Sequence, residues 1–470
     1  MSARGLLWAT AMRTHRPNSL HAVLAVVWTV ACGATSSLDG KLPSQSPYIV
    51  WYPEHDPIVV GEPVPIVNVR TEGMPGCQKE WLVEPQHPGA VTIEPAPTRG
   101  LQLTAHQAGV YFVTLRCGGL RATHRIEAFV PSVKIDSLSS PLPESCLDSA
   151  ITDDGKRLLC VRDGVTVYDL DTLRGRGRTN ERVPGLWGID THGDLFATAT
   201  TGCGSYCPSG GDISAGTRLY RIQPDGSPTL LSVLTTERSN EVAFVGSQLF
   251  VTTDSNLYKF DLSDPVNPRR EACVRGKFAA SLPVPMPADV PGSTDVDLLD
   301  VSPAQLRPIK GGDLGMSCSV DAPTAGVLPL SAESFFLPIV DVSFIPDSVS
   351  GRAHAFLIAA RAGTPNHPQV VGGYHIVDLR DPSQPKLVFQ SDNEAYGTVA
   401  FDQRLLIASA GRVAVFDTAG LAIGEPPRAL GVATIDASSS PMRMYHRAGT
   451  TWLISDRHVW TLSLRSLRTR

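Results

Sequence analysis

The sequence of 470 residues lacks the short motifs that mark several common catalytic sites. It has no His-Glu-x-x-His zinc motif, no Gly-x-Ser-x-Gly turn, no glycine-rich phosphate loop followed by lysine, and no Cys-x-x-Cys-His haem motif. These absences exclude the enzyme classes that depend on those signatures. The sequence therefore favours a protein that is not an enzyme, and it indicates no cofactor and no metal ion.

Charge is also scarce, and neither sign accumulates. Charged residues make up 19% of the chain, with 46 acidic and 41 basic side chains and a formal net charge of -5. Nucleic acids attract dense positive patches, so this balance argues against a nucleic-acid partner. The chain instead contains 41 Gly and 38 Pro, which indicates many short strands joined by turns. Its length predicts more than one domain.

The N-terminus has the pattern of an export signal. Basic residues precede an apolar run over residues 20–31, and no acidic residue occurs before Asp39. The segment Thr29-Val30-Ala31-Cys32 resembles the lipobox of bacterial lipoproteins, in which the cysteine becomes the lipidated first residue. The resemblance implies a signal peptide over 1–32, a linker over 33–46, and a lipid anchor at Cys32 in the bacterial cell envelope, at the outer membrane or periplasmic face. Ordinary secretion, with Cys32 inside or near the removed peptide, is the alternative.

Residues 47–132 have the composition of a small β-domain. Seven short β-branched and aromatic runs, separated by Gly and Pro turns, predict a β-sandwich. A period of two aligns Cys77 with Trp81, and we expect a disulfide from Cys77 to Cys117 that packs on Trp81 and joins the two sheets. Residues 108–113 are similar to the late strands of bacterial immunoglobulin-like and PKD-like domains. The resemblance implies a spacer or adhesive module.

Residues 137–470 contain a repeated strand pattern. An apolar-x-apolar-apolar unit, ending in Asp in five copies, occurs seven times, and a second strand precedes most copies. The spacing fits four-stranded propeller blades, so the sequence predicts an all-β protein with a seven-bladed β-propeller, eight blades being the nearest alternative. The seven units are residues 165–169, 219–223, 257–261, 296–300, 374–378, 413–417 and 459–463.

Two copies carry an additional Asp-Pro-x-x-Pro segment. Residues 257–268 and 373–385 resemble LVIVD repeats, which form β-propellers in exported bacterial and archaeal proteins. In this segment Asp264 and Asp381 are placed to accept hydrogen bonds from backbone amides of a turn. We therefore expect these aspartates to be structural and not calcium ligands or catalytic groups.

Three long insertions are predicted to share one face of the propeller. They are residues 200–217, 303–334 and 361–373, and loops on a rigid scaffold often carry function. The alternative is that these insertions are surface loops that the fold tolerates and that bind no partner. The candidate binding residues are Tyr206, Arg361, Asn366 and His367 on these loops and Trp187, which could reach the central channel or pack in the core.

Nine cysteines can be allocated without remainder if Cys32 carries lipid. The predicted disulfides join Cys77 with Cys117, Cys146 with Cys160, Cys203 with Cys207, and Cys273 with Cys318. The Cys203-x-x-x-Cys207 spacing has no matching second pair, so a disulfide is favoured over zinc.

The sequence thus predicts a lipid-anchored envelope protein whose propeller is a scaffold for a protein or glycan partner. The alternatives are a hydrolase or lyase with its site at the propeller channel, and a purely structural envelope component. Fold alone does not choose among them.

Overall fold

A computed structural model describes residues 48–53, 56–72, 76–97, 100–179, 186–200, 215–276, 278, 282–286, 298–301, 305–310, 313–330, 339–346, 353–359, 374–391, 395–409, 411–435 and 441–467. Residues Tyr48–Arg470 form one compact unit. The predicted signal peptide, Cys32 and the linker lie outside the described residues. No helix within the described ranges is long and apolar enough to cross a membrane.

The described chain is all-β, and its first eight strands form two packed sheets. The strands are β1 (Tyr48–Pro53), β2 (Ile58–Val59), β3 (Pro63–Glu72), β4 (Lys79–Glu84), β5 (Val91–Pro95), β6 (Leu101–Ala105), β7 (Gly109–Cys117) and β8 (Leu120–Phe129). One sheet has the order β1-β3-β6-β5 and the other β2-β8-β7-β4. In β7, alternate residues Tyr111, Val113, Leu115 and Cys117 are buried, as the period of two predicts.

Trp51, and not the disulfide, bridges the two sheets of this sandwich. Cys77 and Cys117 form a disulfide with Cα atoms 5.6 Å apart, but Cys117 lies opposite Lys79 in the pairing of β7 with β4. The predicted inter-sheet bridge is therefore wrong, because Cys77 precedes the edge strand β4 by two residues and Cys117 ends β7 of the same sheet. Trp51, on the other sheet, is fully buried and meets Trp81 edge to face at 4.9 Å.

The remaining strands form seven four-stranded antiparallel sheets. The first three contain β10 (Asp148–Ile151), β11 (Arg157–Val161), β12 (Val165–Asp169), β13 (Gly175–Arg178); β14 (Leu186–His192), β15 (Leu195–Thr200), β16 (Gly216–Ile222), β17 (Pro228–Thr235); and β18 (Ser239–Val245), β19 (Gln248–Thr253), β20 (Asn256–Asp261), β21 (Arg269–Arg275). The next two contain β22 (Leu282–Pro285), β23 (Leu298–Val301), β24 (Gln305–Ile309), β25 (Leu328–Pro329); and β26 (Ile339–Pro346), β27 (Ala353–Ala359), β28 (Tyr374–Asp378), β29 (Lys386–Ser391). The sixth contains β30 (Gly397–Phe401), β31 (Arg404–Ser409), β32 (Arg412–Asp417), β33 (Arg428–Thr434), and a 3-10 helix (Ala419–Ile423) connects its last two strands.

The seventh sheet is completed by the strand that directly follows the sandwich in the sequence. It contains β34 (Pro441–Arg447), β35 (Thr450–Ser455) and β36 (His458–Ser466), and its outer strand is β9 (Val133–Pro141). β9 pairs with β36 over nine residues, from Val133 opposite Ser466 to Pro141 opposite His458. First strands of neighbouring sheets lie side by side in six of the seven cases, including β34 beside β10. The fourth and fifth sheets pack through a shared apolar cluster, so the described sheets form a closed series. This arrangement is consistent with the predicted β-propeller.

The repeated sequence pattern is explained by third strands that are buried on both faces. In β12, Val165 and Val167 pack with Phe196 of the second sheet, whereas Tyr168 packs with Trp452 of the seventh. Apolar residues are therefore needed at both odd and even positions of the strand. Asp169 ends the strand, where its carboxylate accepts from Arg157 and Arg176.

Six of the seven predicted units are third strands of their sheets, and the fourth unit is not. Within residues 296–300, Leu298 begins β23, which is the second strand of the fourth sheet. The third strand there is β24, which ends in Ile309 without an aspartate. The pattern was misassigned because Asp300 follows an apolar pair, although this aspartate is buried and pairs with Arg307 across the sheet.

The sandwich is docked on the ring without an intervening linker. The backbone N–H of Ser132 donates to the carbonyl of Leu430 at 2.8 Å, and β9 begins at the next residue. Phe129 packs in the apolar cluster of the fifth and sixth sheets. Glu127 accepts from the backbone N–H of Ala429 at 2.9 Å, and Arg412 donates to Glu62. Residues 133–136, which precede the predicted start of the ring region at 137, are part of the closing strand β9.

Candidate functional site

Charged side chains lie on several first strands, which are the inner strands of the ring; among them are Asp148 on β10, Asp190 on β14, Glu241 on β18 and Arg443 on β34. In β14, β18, β26 and β34 the pairing with the second strand shifts register just before the third residue. These third residues are Gly188, Glu241, Asp341 and Arg443. A bulge redirects the side chain that follows it, and bulges are common beside functional sites. The recurrence at one strand position makes this level of the ring the candidate site.

Asp148 and Arg443 form the ion pair of this site. Nε of Arg443 donates to Oδ1 of Asp148 at 3.1 Å, and the backbone N–H of Ser149 donates to the same oxygen at 2.8 Å. Oδ2 of Asp148 is buried and accepts no hydrogen bond from the described part of the chain. One acceptor of the pair is therefore left without a donor.

Glu241, on the first strand of the third sheet, extends its carboxyl group toward Gly188 of the second sheet. A Cβ atom on Gly188 would overlap Oε2 of Glu241, so the glycine makes room for the carboxyl group. Burial raises the pKa of Glu241 to about 8, the nearby Asp148 and Asp190 act in the same direction, and Arg443 opposes them. Glu241 therefore keeps its proton to a higher pH than a free carboxyl group, and in the protonated form it can donate a hydrogen bond.

Asp190 connects the second and third sheets beside Glu241. Its Oδ2 accepts from the backbone N–H of Phe244 at 2.8 Å and its Oδ1 from that of Thr191 at 2.8 Å. Burial raises the pKa of Asp190 to about 6, although both hydrogen bonds and Arg447 act in the opposite direction. Two carboxyl groups with raised pKa values therefore lie near a third that is paired with an arginine.

The loop-face candidates are mostly outside the described residues. Tyr206, Arg361, Asn366 and His367 fall in segments that the structure does not describe. Trp187 lies in β14, the first strand of the second sheet, but its side chain is also outside the description. Its backbone position is one residue before Gly188, at the register shift of the candidate site.

The sequence predicted that the three insertions share one face of the ring, but the strand order places one of them on the opposite face. Residues 201–214 and 360–373 connect second to third strands, whereas residues 310–327 connect the third strand β24 to the fourth strand β25. Consecutive antiparallel connections alternate between the two ends of a sheet, so the third insertion belongs to the opposite face. The predicted loop over 303–334 also contains β24 and β25 themselves.

The turn aspartates have the structural role that the sequence predicted. Oδ1 of Asp264 accepts from the backbone N–H of Val266 at 3.1 Å, and Oδ1 of Asp381 accepts from that of Ser383 at 3.1 Å. The aspartates that end the third strands pair with arginines, as Asp261 does with Arg269 at 2.8 Å. Among the described residues, no group of three or more His, Cys, Asp and Glu side chains could hold a metal ion.

Two further cysteine pairs are at disulfide distance in the ring. Cys146 and Cys160 have Cα atoms 5.3 Å apart at the first sheet. Cys273 and Cys318 have Cα atoms 4.9 Å apart and join β21 to the 310–327 connection of the next sheet. Cys203 and Cys207 lie outside the described residues, so that pairing stays a prediction.

The charged inner site was missed by the sequence analysis. Asp148, Asp190, Glu241 and Arg443 are separated along the chain and share no motif. The available signal was a polar residue near the start of a first strand, whereas the repeated sequence pattern lies on the second and third strands. Only the closure of the ring brings these first strands together.

No family model matches the chain, and no curated protein matches it. Among solved structures, the chain is similar to the N-terminal domain of Nup159, with 11% identity, a TM-score of 0.41, and coverage of 71% of this chain and 96% of that one. It is also similar to KlHsv2 with loop 6CD replaced by a Gly-Ser linker, with 10% identity, a TM-score of 0.41, and coverage of 70% and 98%. The architecture is therefore argued from strand order and packing.

Proposed function

We propose that the seven ring sheets are the blades of a seven-bladed β-propeller of the LVIVD-repeat type. The strand order within each sheet, the adjacency of first strands and the completion of the last sheet by β9 support this proposal. Pairing of β9 with β36, the first and last strands of the ring region, leaves no open edge between its first and last sheets. The Asp-Pro turns at residues 264 and 381 support the repeat type.

We propose in addition that residues 48–129 form an immunoglobulin-like domain. The order β1-β3-β6-β5 against β4-β7-β8 has the strand arrangement of a constant-type immunoglobulin sandwich. The hydroxyl of Tyr111 donates to the carbonyl of Gln107 at 3.1 Å, which resembles the tyrosine corner of that fold. Because this domain is docked on the ring, it would act as a rigid spacer.

The proposed location is the bacterial cell envelope, with a lipid anchor at Cys32. The basic segment, the apolar run and the lipobox-like residues support it. Cys32→Ser should release the protein from membranes and abolish incorporation of labelled fatty acid, whereas Ser36→Ala should change neither. Membrane retention of the Cys32→Ser protein would contradict the anchor.

The proposed function is a binding scaffold for a protein or glycan partner, with the inner charged site as its contact. The observation that carries it is the group of Asp148, Glu241 and Arg443 on the inner strands. Burying charge is unfavourable for folding, and the ring already has apolar cores between its sheets, so this group is not needed for packing. The unmatched Oδ2 of Asp148 is suited to a donor from a ligand, such as a sugar hydroxyl or a protein ammonium group.

Partner recovery from envelope extract tests this function. The full chain with Cys32→Ser serves as bait, and Glu241→Gln combined with Arg443→Gln should lose the partner. The matched control removes the exposed pair Lys156 and Asp154 with Lys156→Gln and Asp154→Asn, and it should recover the partner fully. Equal recovery by all three proteins would reject the inner site.

The raised pKa of Glu241 specifically favours the second candidate, a hydrolase or lyase at the channel. A protonated carboxyl group beside a second carboxyl group is the arrangement that proton donation to a glycosidic oxygen requires. In that case envelope polysaccharide should be cleaved, and Glu241→Gln should reduce the release of reducing ends at least about a hundredfold. Binding without cleavage would decide for the scaffold.

A further inference from the structure

A cavity of about 660 Å³ lies between the fourth and fifth sheets, away from the inner strands. Its volume is within the range of small-molecule sites. One wall comes from the 310–327 connection of the fourth sheet and the other from the turn between β28 and β29 of the fifth. Its lining includes Pro308, Lys310, Pro323, Gln384, Pro385 and Lys386.

Two ammonium groups, one from each wall, give this cavity a positive charge. Lys310 and Lys386 are exposed, and neither forms an ion pair or side-chain hydrogen bond with any residue that the structure describes. The carboxylate in the lining belongs to Asp313, whose Oδ2 accepts from the backbone N–H of Lys310 at 2.9 Å. Two cations therefore face one carboxylate, and that carboxylate is already engaged by the backbone.

The wall from the fourth sheet is attached to its neighbours on two sides. Cys318 is bonded to Cys273, and the backbone of Gly315 exchanges hydrogen bonds with that of Cys273 at 2.7 and 3.1 Å. On the other side, Gly326 lies so close to the carbonyl of Ser383 that a Cβ atom would overlap it. Such attachment preforms the cavity and limits the ordering that a ligand would have to impose.

We propose that this cavity binds the carboxylate-bearing sugar units of an acidic oligosaccharide. The ammonium groups suit a sugar carboxylate, the amide of Gln384 suits hydroxyl groups, and the three proline rings offer apolar surface to the carbon face of a pyranose. A smaller cavity of about 230 Å³ shares Gln384 and Lys386 with the first, so the groove continues beyond one sugar unit. Its carboxylates are already engaged, Asp378 by Arg380 and Asp381 by Ser383.

The proposal refines the glycan form of the proposed function but depends on a separate site. Calorimetry with short oligogalacturonates on the Cys32→Ser chain tests it. Binding should occur, and Lys310→Gln and Lys386→Gln should each weaken it about tenfold. Lys79→Gln, a change of an exposed lysine on the sandwich, should leave the affinity unchanged, and Lys310→Arg should retain most of it.

Three results would overturn the proposal. One is equal binding of neutral malto-oligosaccharides, and another is full affinity in both glutamine variants. The third is complete competition by inorganic sulfate at equal concentration, which would indicate a simple anion site. Glu241→Gln separates the two sites, because oligogalacturonate binding that is lost in this variant alone would place the sugar at the inner strands. The proposed function would still stand if oligogalacturonate did not bind the cavity but the Glu241→Gln, Arg443→Gln protein lost its envelope partner.

Discussion

The sandwich and the ring stabilise their β-sheets in different ways. The sandwich has one core between two sheets, centred on Trp51, which contacts Trp81 and His124 and donates from Nε1 to the carbonyl of Ala122 at 3.1 Å. The ring divides its core into clusters between neighbouring sheets, and each sheet contributes to two of them. The sandwich therefore depends on a few central side chains, whereas the ring depends on closure.

The largest effect is expected where the ring closes. Ile135 on β9 is 6% exposed, and Leu138 on the same strand is 72% exposed. Ile135→Asp should lower the free energy of unfolding by at least about 5 kcal/mol, because it buries an unpaired charge and opens the ring. Leu138→Asp, the matched control, should change it by less than about 0.5 kcal/mol. Chemical denaturation measures both, and equal effects would show that β9 does not close the ring.

The next largest effect is expected at the centre of the sandwich. Trp51→Ala should lower the stability of the sandwich by about 3 to 5 kcal/mol through loss of buried contacts and a cavity. Phe112→Ala, at a side chain that is 45% exposed on the same domain, should have a small effect. Amide hydrogen exchange measures the effect in each region. If exchange after Trp51→Ala becomes faster to the same extent in the sandwich and in the ring, Trp51 does not stabilise the sandwich specifically.

The disulfides sharpen the comparison within the ring. The loop closed by Cys273 and Cys318 spans 45 residues, and that closed by Cys146 and Cys160 spans 14. On the chain-entropy estimate, replacing the first pair by serine should destabilise by about 1 kcal/mol more than replacing the second. Thermal unfolding of the two double variants measures this, and the reverse order would show that local packing outweighs loop length.

The last comparison concerns the inner charged site, where the effect on stability depends on pH. Glu241 has a pKa raised from 4.5 to about 8, so the folded protein holds a proton that the unfolded chain releases as pH rises. Stability from this group is complete below about pH 4.5 and falls as pH rises toward 8. Glu241→Gln should remove this fall and be more stable than the parent at pH 8, with little difference at pH 4. A parallel pH dependence in both proteins would contradict the burial of Glu241.

The sequence predicted most third strands but few of the contacts between distant segments. In β12 and β32 the apolar pattern coincides with the observed strand, because burial on both faces makes each position informative. In the fourth sheet the pattern failed at Asp300, since a buried aspartate paired with Arg307 looks like a strand end in the sequence. Spacing along the chain did not predict the inner site. Its residues lie on first strands of different sheets, and each of these strands forms its ladder hydrogen bonds only within its own sheet.

Local patterns in the sequence determined the all-β class, the two regions and the partners Cys77 with Cys117, Cys146 with Cys160, and Cys273 with Cys318. Tertiary structure decided that β9 completes the last sheet, that the sandwich is docked on the ring, and that Asp148, Glu241 and Arg443 meet. The physical reason is the separation in sequence between the residues that interact. Strand periodicity and turn chemistry are set by neighbours in the chain, whereas ring closure joins Val133 to Ser466 and is set by packing across the whole fold.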